Sequence, residues 1–380
     1  MVLLIICLFV LSLISPLLGV LLSFICIYRF HEKKLIVLIS LFYLAFFLGL
    51  INSMKLPESD LINYINTFHN SSEVNFFSFA FYANKEPLFY LFTKTVNYLS
   101  FDNEYIYVIS FTILGYWILF YALWRVHNYY NLKRNNFFLA IVCAFLFPNL
   151  FSLSAHLVRQ FIASSFIVLF LVNKFCYDRK SVIYLIVAFL FHSTSLIFVI
   201  CYLPFFNNKL SLKRSLFFLF FLSVFSVLQN KLLGLLTSFF YKVPLLSYLI
   251  KRATEDNLKV SEPLGSSILL LIILIIFLFY ITSKKIKLKI RNNNIFKFLY
   301  LSVFLFVFIL ANINNGIVAL RFAFYMYFLL PLGFYFLLEL TNSKLLKSII
   351  QLILIFVFVF WFVFKLNNGI WTYNNLHTIV

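Results

Sequence analysis

The stretch LIVLISLFYLAFFLGLIN, residues 35–52, contains no charged residue and is directly preceded by Lys33 and Lys34. About 20 consecutive apolar residues are enough for an α-helix to cross the hydrocarbon core of a bilayer. A second run of similar length, LKSIIQLILIFVFVFWFVF at residues 346–364, carries only Lys347, near its start. Runs of this kind predict transmembrane helices.

The composition of the whole chain agrees with this prediction. Of the 380 residues, 63% are hydrophobic and 11% are charged, and 54 are Phe. Soluble domains carry about 25% charged residues, so the composition excludes a soluble enzyme, a nucleic-acid-binding domain and a disordered linker. Transmembrane β-strands alternate apolar and polar residues over short stretches, whereas these runs are continuous. We therefore expect an all-α integral membrane protein.

Further apolar runs of helical length recur along the chain. The candidate spans lie at about 2–28, 35–52, 104–124, 136–152, 155–175, 215–240, 265–282, 297–312, 317–340 and 346–364. Two other stretches, 86–100 and 181–206, are membrane-like but awkward. No linker or clear internal repeat divides the chain. Residues 1–380 are therefore predicted to form a single polytopic domain of about 10–12 transmembrane helices, with one or two re-entrant or broken segments.

Clusters of basic residues set the predicted orientation. They lie at 29–34, 125–134, 174–180, 209–214, 284–297 and 344–347 and hold 20 of the 31 Lys and Arg. Loops 53–85 and 241–263 instead carry six of the 12 Asp and Glu. Because Lys and Arg gather in cytoplasmic loops, we expect these two loops and the N-terminus to face outside. The same rule accounts for the net charge of +19 without a nucleic-acid partner.

This orientation conflicts with a simple helix at 181–206. Clusters 174–180 and 209–214 both belong to the cytoplasm, so an even number of crossings must separate them. Either the helix is broken or re-entrant near FHSTS, residues 191–195, or one basic cluster breaks the rule. The same counting makes 86–100 less than a full span. Re-entrant backbone is tolerated only beside protein or a water-filled cavity, so both segments indicate a cavity.

Polar residues interrupt the apolar runs at several places, and ionisable groups at membrane depth are usually functional. In LPESDLINYINTF, residues 56–68, Asp60 and Tyr64 are four residues apart and share one face of a short helix. Glu86 precedes Pro87, which suits the first turn of a helix. A carboxylate at that position can also simply complement the helix dipole.

The segment SLSAHLVRQFIASS, residues 152–165, places Arg159 and Gln160 near the predicted outer end of a span. His156 lies one turn earlier, on the face that Arg159 and Gln160 share. An Arg at an interface can extend its charged end into water without further function. The positive-inside rule disfavours Arg on this side, however, so we favour a functional role.

Two more clusters lie farther along the chain. His192 and Ser195 belong to FHSTS, whose hydroxyl groups could otherwise form only a hydrogen-bonding patch between helices. Arg321 lies inside an apolar run and has Tyr325 four residues later. No GxSxG motif or CxxC pair accompanies these residues, so neither a serine hydrolase nor a metal centre is indicated.

The order of these motifs resembles that of the EpsG/Wzy-type bacterial polysaccharide polymerases. The motifs SDLINY, EPLFYLF, RQFIASS, FHSTSLIF and RFAFYMYF occur in this order over roughly residues 49–330. Family members often carry GLR near the end of the second span and a Gly before the Asp-Tyr pair. This chain has GLINSMK at residues 49–55 and Ser59 before Asp60, so it lacks that Arg.

The resemblance implies a multi-pass enzyme of the bacterial inner (cytoplasmic) membrane, similar in architecture to the multispan glycosyltransferases of the C class. Such an enzyme joins oligosaccharide repeat units carried on undecaprenyl diphosphate, with its active site facing the periplasm or exterior. The product is an O-antigen, capsule or exopolysaccharide. Its partners would be the lipid-linked oligosaccharide, membrane lipid, a chain-length regulator and other glycan-assembly proteins. We expect no metal and no other cofactor.

Glycosyl transfer from a lipid diphosphate needs a cation for the leaving diphosphate and a base for the attacking hydroxyl. Arg159 and Arg321 suit the first role, because Arg binds phosphate oxygens through two donors and neither has an acidic residue within a helical turn in sequence. Asp60, Glu86 or His192 is the candidate base, and Glu86 is favoured. The residues expected to position sugars or phosphates are Tyr64, Gln160, Ser195 and Tyr325.

Other membrane functions need similar groups. An O-antigen ligase also acts on undecaprenyl-diphosphate-linked glycan, but such ligases place most catalytic residues in one large outer loop. A flippase or transporter usually contains internal repeats with broken helices in matching halves, and this chain has no matching halves. A membrane acyltransferase would need a buried His–Asp motif, which the sequence lacks.

Overall fold

The computed structural model describes residues 14–58, 60–75, 78–79, 86–130, 133–177, 181–202, 295–312, 316–341 and 343–368, with positions 10, 220, 224 and 228. These residues are helical wherever they form regular structure. The chain divides into two compact units, one of residues 1–199 with 330–380 and one of residues 200–329. The candidate residues described in most detail belong to the first unit.

The helices follow one another along the sequence with short connections. They are α1 Pro16–Arg29, α2 Lys34–Ser53, α3 Asp60–Asn70, α4 Pro87–Ser100, α5 Glu104–Tyr130, α6 Arg134–Leu146, α7 Pro148–His156, α8 Val158–Phe175, α9 Val182–Phe191, α10 Ile295–Ala311, α11 Gly316–Leu340 and α12 Lys344–Asn368, with 3₁₀ helices at Ser71–Glu73 and Ser193–Tyr202. In the first unit, α5 packs against α2 and α8, and α8 packs against α9.

Several helices are long and apolar enough to cross a membrane. They are Lys34–Ser53, Glu104–Tyr130, Val158–Phe175, Ala319–Glu339 and Lys344–Leu366. The pair α6 and α7, bent by 47°, is a sixth candidate span. The prediction of an all-α membrane protein is confirmed.

The remaining predicted spans are only partly covered. The run at 297–312 forms α10, which is 17 residues long, and the run at 2–28 is described mainly over α1. Runs 215–240 and 265–282 lie outside the described residues, as does the loop at 241–263. The total of about 10–12 spans therefore stays a prediction.

Close packing of α5 on α8 depends on Gly115. A Cβ atom at this position would lie 2.1 Å from a ring carbon of Phe161. Phe161 is fully buried and meets the ring of Tyr116 edge to face, with centroids 5.1 Å apart. Gly115 therefore lets α8 approach α5 at the turn that follows Arg159.

Two helix breaks position the polar residues. Helix α7 ends at His156, and Leu157 (φ −123°, ψ 52°) separates it from α8. His156 and Arg159 therefore lie on different helices, so the expectation that they share one helix face is wrong. Helix α9 ends at Phe191, and His192 is extended (φ −157°, ψ 122°). The break expected near FHSTS is present at His192.

Helix α3 is tied to α4 through its C-terminal end and the 3₁₀ turn that follows it. The ammonium of Lys94 on α4 donates to the carbonyl oxygen of Ser71 and, at 2.6 Å, to that of Val74. Asn97, one turn later on α4, donates to the carbonyl oxygen of Phe68 at 3.0 Å. A segment predicted as an outer loop therefore contains a helix fixed against its neighbour.

Candidate active site

Glu86 lies at the centre of a buried charged cluster. It precedes Pro87, the first residue of α4, but its side chain makes no capping hydrogen bond to that helix. One carboxylate oxygen, Oε2, instead accepts a hydrogen bond from Nη1 of Arg159 in an ion pair. The other, Oε1, lies 2.5 Å from Nδ1 of His192 and accepts the Ser193 N–H at 3.4 Å. The side chain therefore joins α4, α8 and the break after α9.

The cluster keeps Glu86 ionised. Burial alone would raise the pKa of Glu86, but the hydrogen bond and charge of His192, the charge of Arg159 and the Ser193 N–H together lower this pKa to about 2. A carboxylate with so low a pKa is a weak base. The geometry therefore does not favour the expectation that Glu86 itself accepts the proton.

Arg159 is the second residue of α8 and points between two aromatic rings. Its guanidinium carbon lies 5.7 Å from the ring centroid of Tyr64 and 5.8 Å from that of Phe89. These two rings meet edge to face, with centroids 5.5 Å apart. The rings shelter the guanidinium, of which a quarter of the side chain remains exposed (25%).

Sequence alone gave a wrong picture of the surroundings of Arg159. No acidic residue lies near it along the chain, yet Glu86, 73 residues away, forms an ion pair with it. The ion pair uses one end of the guanidinium. Its Nε has no hydrogen-bond partner in the part of the chain that the structure describes. Arg159 is therefore fixed in place and still has a buried donor to offer.

The other candidates of the first unit lie on neighbouring elements. Asp60 is exposed at the first residue of α3, and Tyr64, one turn later, is buried. Gln160 is buried beside Arg159, and Ser195 is buried in the 3₁₀ helix that follows His192. The structure thus brings Tyr64 to Arg159, as the proposed roles require, while Asp60 lies at the exposed end of the same helix.

Arg321 and Tyr325 lie on α11, in the second compact unit. They are one turn apart, Tyr325 being buried and Arg321 partly exposed. The pairing of Arg159 with Arg321 around one diphosphate stays a prediction.

Sequence reasoning missed Lys55, which directly follows α2 and is buried. Its ammonium lies 4.1 Å from the ring centroid of Phe151 and 3.4 Å from the Phe151 carbonyl oxygen, on α7. Asn52, one turn earlier, donates to Thr112 at 3.0 Å and to Ser154 at 2.5 Å. These bonds fix the end of α2 against α5 and α7.

A signal for Lys55 exists in the sequence. In the family pattern GLR, the Arg position corresponds to Ile51, and Lys55 lies four residues later, a spacing that places two helical residues on one face. Burial lowers the pKa of Lys55 well below its ordinary value. A basic group is therefore present near the position where the Arg is missing.

Among the described residues, no group of three or more His, Cys, Asp and Glu side chains could hold a metal ion. The cluster instead offers a guanidinium, a carboxylate and an imidazole in direct contact. Such a set can bind an anion and transfer a proton.

A helical membrane fold with a buried Arg–Glu–His cluster at helix breaks defines an integral membrane protein with a polar site among its helices. A family model described as the EpsG family matches residues 38–375, and the chain belongs to this family. The match includes every residue of the cluster, and it confirms the resemblance drawn from the order of the motifs. No curated protein and no solved structure matches the chain.

Proposed function

We propose that this protein is a membrane glycosyltransferase that polymerises oligosaccharide repeat units carried on undecaprenyl diphosphate at the outer face of the bacterial cytoplasmic membrane. Membership of the EpsG family supports a role in polysaccharide polymerisation. The observation that carries the finer assignment is Arg159, a sheltered guanidinium at the start of α8 with a buried donor still to offer.

The chemistry of the reaction explains why such an Arg is needed. When the bond between the anomeric carbon and the diphosphate oxygen breaks, negative charge develops on the leaving diphosphate. A guanidinium has five N–H donors, of which the Glu86 ion pair uses one edge. The N–H groups of the first turn of α8 lie beside Arg159 and add to the local preference for an anion.

Glu86 explains how the site survives without substrate. A buried charge that has lost its partner is strongly destabilising, and the ion pair with Glu86 balances Arg159 while the site is empty. The arrangement therefore allows a cation to be stored in a largely buried position until an anionic substrate arrives.

The decisive test compares surface glycan in a strain that lacks the gene with the same strain carrying the gene on a plasmid. A polymerase mutant leaves single repeat units attached to the cell surface. A ligase mutant leaves none, and a flippase mutant accumulates lipid-linked units inside the cell. We expect single units in the deletion strain and restored long chains on complementation. Either of the other two patterns would replace the proposed function.

The proposed orientation can be tested independently of the reaction. Ser72 and Ser343 are both exposed, and the charge pattern places them outside and in the cytoplasm, respectively. In a Cys-free background, Ser72→Cys should react with a membrane-impermeant thiol reagent in intact spheroplasts, whereas Ser343→Cys should react only after lysis. The reverse pattern would contradict the orientation.

Replacing Lys55 with Met should lower polymerisation by about 10-fold or more without lowering protein abundance. Met keeps most of the apolar stem, and removing a buried charge is often neutral or stabilising. Chain length on gels and protein amount on immunoblots measure the two effects. The exposed Lys34 gives a matched control, Lys34→Met, which should retain normal chains. Normal chain length in Lys55→Met would make Lys55 a structural residue only.

A further inference from the structure

We infer that His192 accepts the proton of the attacking hydroxyl group and that Glu86 is a positioning residue, which orients His192 through one oxygen and Arg159 through the other. This inference rests on the proposed function and assigns the base within that site. It differs from the expectation drawn from the sequence, in which Glu86 was the favoured base.

The first step concerns which nitrogen of His192 carries the hydrogen. Glu86 is ionised, and an ionised carboxylate can only accept hydrogen bonds. Nδ1 of His192, 2.5 Å from Oε1, must therefore be the donor. In the neutral ring the lone pair then belongs to Nε2, the nitrogen directed away from the carboxylate. The Glu86 contact thus selects the tautomer in which Nε2 can act as a base.

The second step concerns access to the two side chains. Both oxygens of Glu86 are engaged, Oε2 by Arg159 and Oε1 by His192 and Ser193. The Glu86 side chain is 5% exposed, whereas that of His192 is 12% exposed. A hydroxyl group would have to displace existing charged hydrogen bonds to reach Glu86. Approach to His192 requires no such displacement of the carboxylate.

The third step concerns the backbone. His192 is not inside a helix but in the extended residue between α9 and the following 3₁₀ helix. The Ser193 N–H donates to the same oxygen of Glu86 that His192 contacts. The break therefore directs both the ring and the next amide of the chain toward Glu86, which holds the imidazole from two consecutive residues.

The reaction balances with these groups. An acceptor sugar hydroxyl attacks the anomeric carbon of the donor glycan, and its oxygen forms the new glycosidic bond. The bond from that carbon to the diphosphate oxygen breaks, and its electron pair leaves with the diphosphate beside Arg159. The hydroxyl proton passes to Nε2 of His192 and is afterwards released to water. Glu86 stays ionised throughout and stabilises the imidazolium.

The charged surroundings of His192 are defined within the described residues. Helices α4 and α8 pack against α9, and the charged groups that they bring to this place are Glu86 and Arg159. The phenol of Tyr90 on α4 lies within electrostatic range of Arg159. Glu86 favours the protonated imidazole, and Arg159 opposes it from the far side of the carboxylate.

The test is the pH dependence of polymerisation by purified protein in lipid nanodiscs. The substrate is the lipid-linked repeat unit extracted from a strain that lacks the polymerase, and single-turnover rates are measured from pH 5 to pH 9. The wild type should lose activity on the acid side, where the base becomes protonated. His192→Gln should lower the rate by about 10²–10⁴-fold and abolish this acid limb.

Glu86→Gln separates a positioning role from a base. Without the carboxylate the imidazolium is less stable, so the acid limb should move to lower pH, and the rate should fall by on the order of 10²–10⁴-fold because the tautomer is no longer fixed. If Glu86 were the base, Glu86→Gln would lose the acid limb altogether, and His192→Gln would retain it. That result would overturn the inference.

Controls distinguish these effects from misfolding. His69 is also paired with a carboxylate, at 2.9 Å from Asp102, but lies outside the cluster, so His69→Gln should keep the wild-type rate and pH profile. His192→Gln leaves the Arg159–Glu86 pair intact and should bind the lipid-linked unit with wild-type affinity. Wild-type protein that forms no polymer at any pH would contradict the proposed function, and the inference would fall with it. Polymerisation by the wild type with an unchanged rate and profile in His192→Gln would overturn the inference alone.

Discussion

Cells that carry Arg159→Lys in place of the wild-type residue should make short glycans only, although the protein inserts at normal abundance. Lys retains the charge but has a single ammonium in place of the planar fork. That ammonium would pair with Glu86, the existing partner of Arg159, and no second donor would remain for the diphosphate. Loss of such an interaction in the transition state costs about 10²–10³ in rate. Gel analysis of glycan length measures the result.

Arg125 provides a matched control for this substitution. Its guanidinium also makes a directed contact, 2.7 Å to Asn173, and stacks 4.1 Å from the ring centroid of Tyr177, but it lies outside the cluster. Arg125→Lys should therefore retain long chains. The same change at Arg321 tests the second arm of the predicted clamp. Normal chains in Arg159→Lys at wild-type abundance would remove Arg159 from the site, and normal chains in both variants would end the clamp hypothesis.

Replacing Gly115 with Ala should reduce both stability and polymerisation, by way of packing rather than chemistry. The new Cβ would lie 2.1 Å from a ring carbon of Phe161, and overpacking of this kind typically costs about 1–3 kcal/mol. Phe161 is buried against Tyr116 and follows Arg159 by two residues, so its displacement also moves the guanidinium. We expect a larger loss of polymer than of protein.

Gly333 on α11 is the matched control, because a Cβ there would meet nothing within 4 Å. Ala is favoured over Gly inside helices by about 1 kcal/mol, so Gly333→Ala should be neutral or slightly stabilising. Thermal unfolding in detergent and glycan length can be measured on both variants. Equal behaviour of the two Ala variants would show that the contact between α5 and α8 is not close enough to matter.

Much of the fold follows from local sequence features. Continuous apolar runs define transmembrane helices because a bilayer imposes both their length and their composition. The break at His192 was predictable because charge asymmetry demands an even number of crossings around it. The bend between α6 and α7 was not predicted, although Pro148 signals it, since the residue before a Pro is driven out of helical geometry.

The site was predicted residue by residue but not as an arrangement. Glu86, Arg159 and His192 each stand out because an ionisable side chain is costly among apolar residues. Their pairing joins positions 73 and 106 residues apart, and only tertiary packing brings those positions together. A search for acids within one helical turn therefore left Arg159 without a partner. Lys55 was missed because it follows a helix end and resembles an ordinary interfacial Lys.

The tie between α3 and α4 has a consequence for the thermodynamics of substrate binding. Lys94 and Asn97 hold the end of α3 and the turn after it, so Tyr64 on α3 and Glu86 at the start of α4 keep a fixed separation in the empty protein. Side chains and loops that must be ordered on binding each subtract from affinity. Here that ordering has already occurred during folding. The conformational entropy of association should therefore be dominated by the flexible lipid-linked sugar, and the protein should contribute little to it.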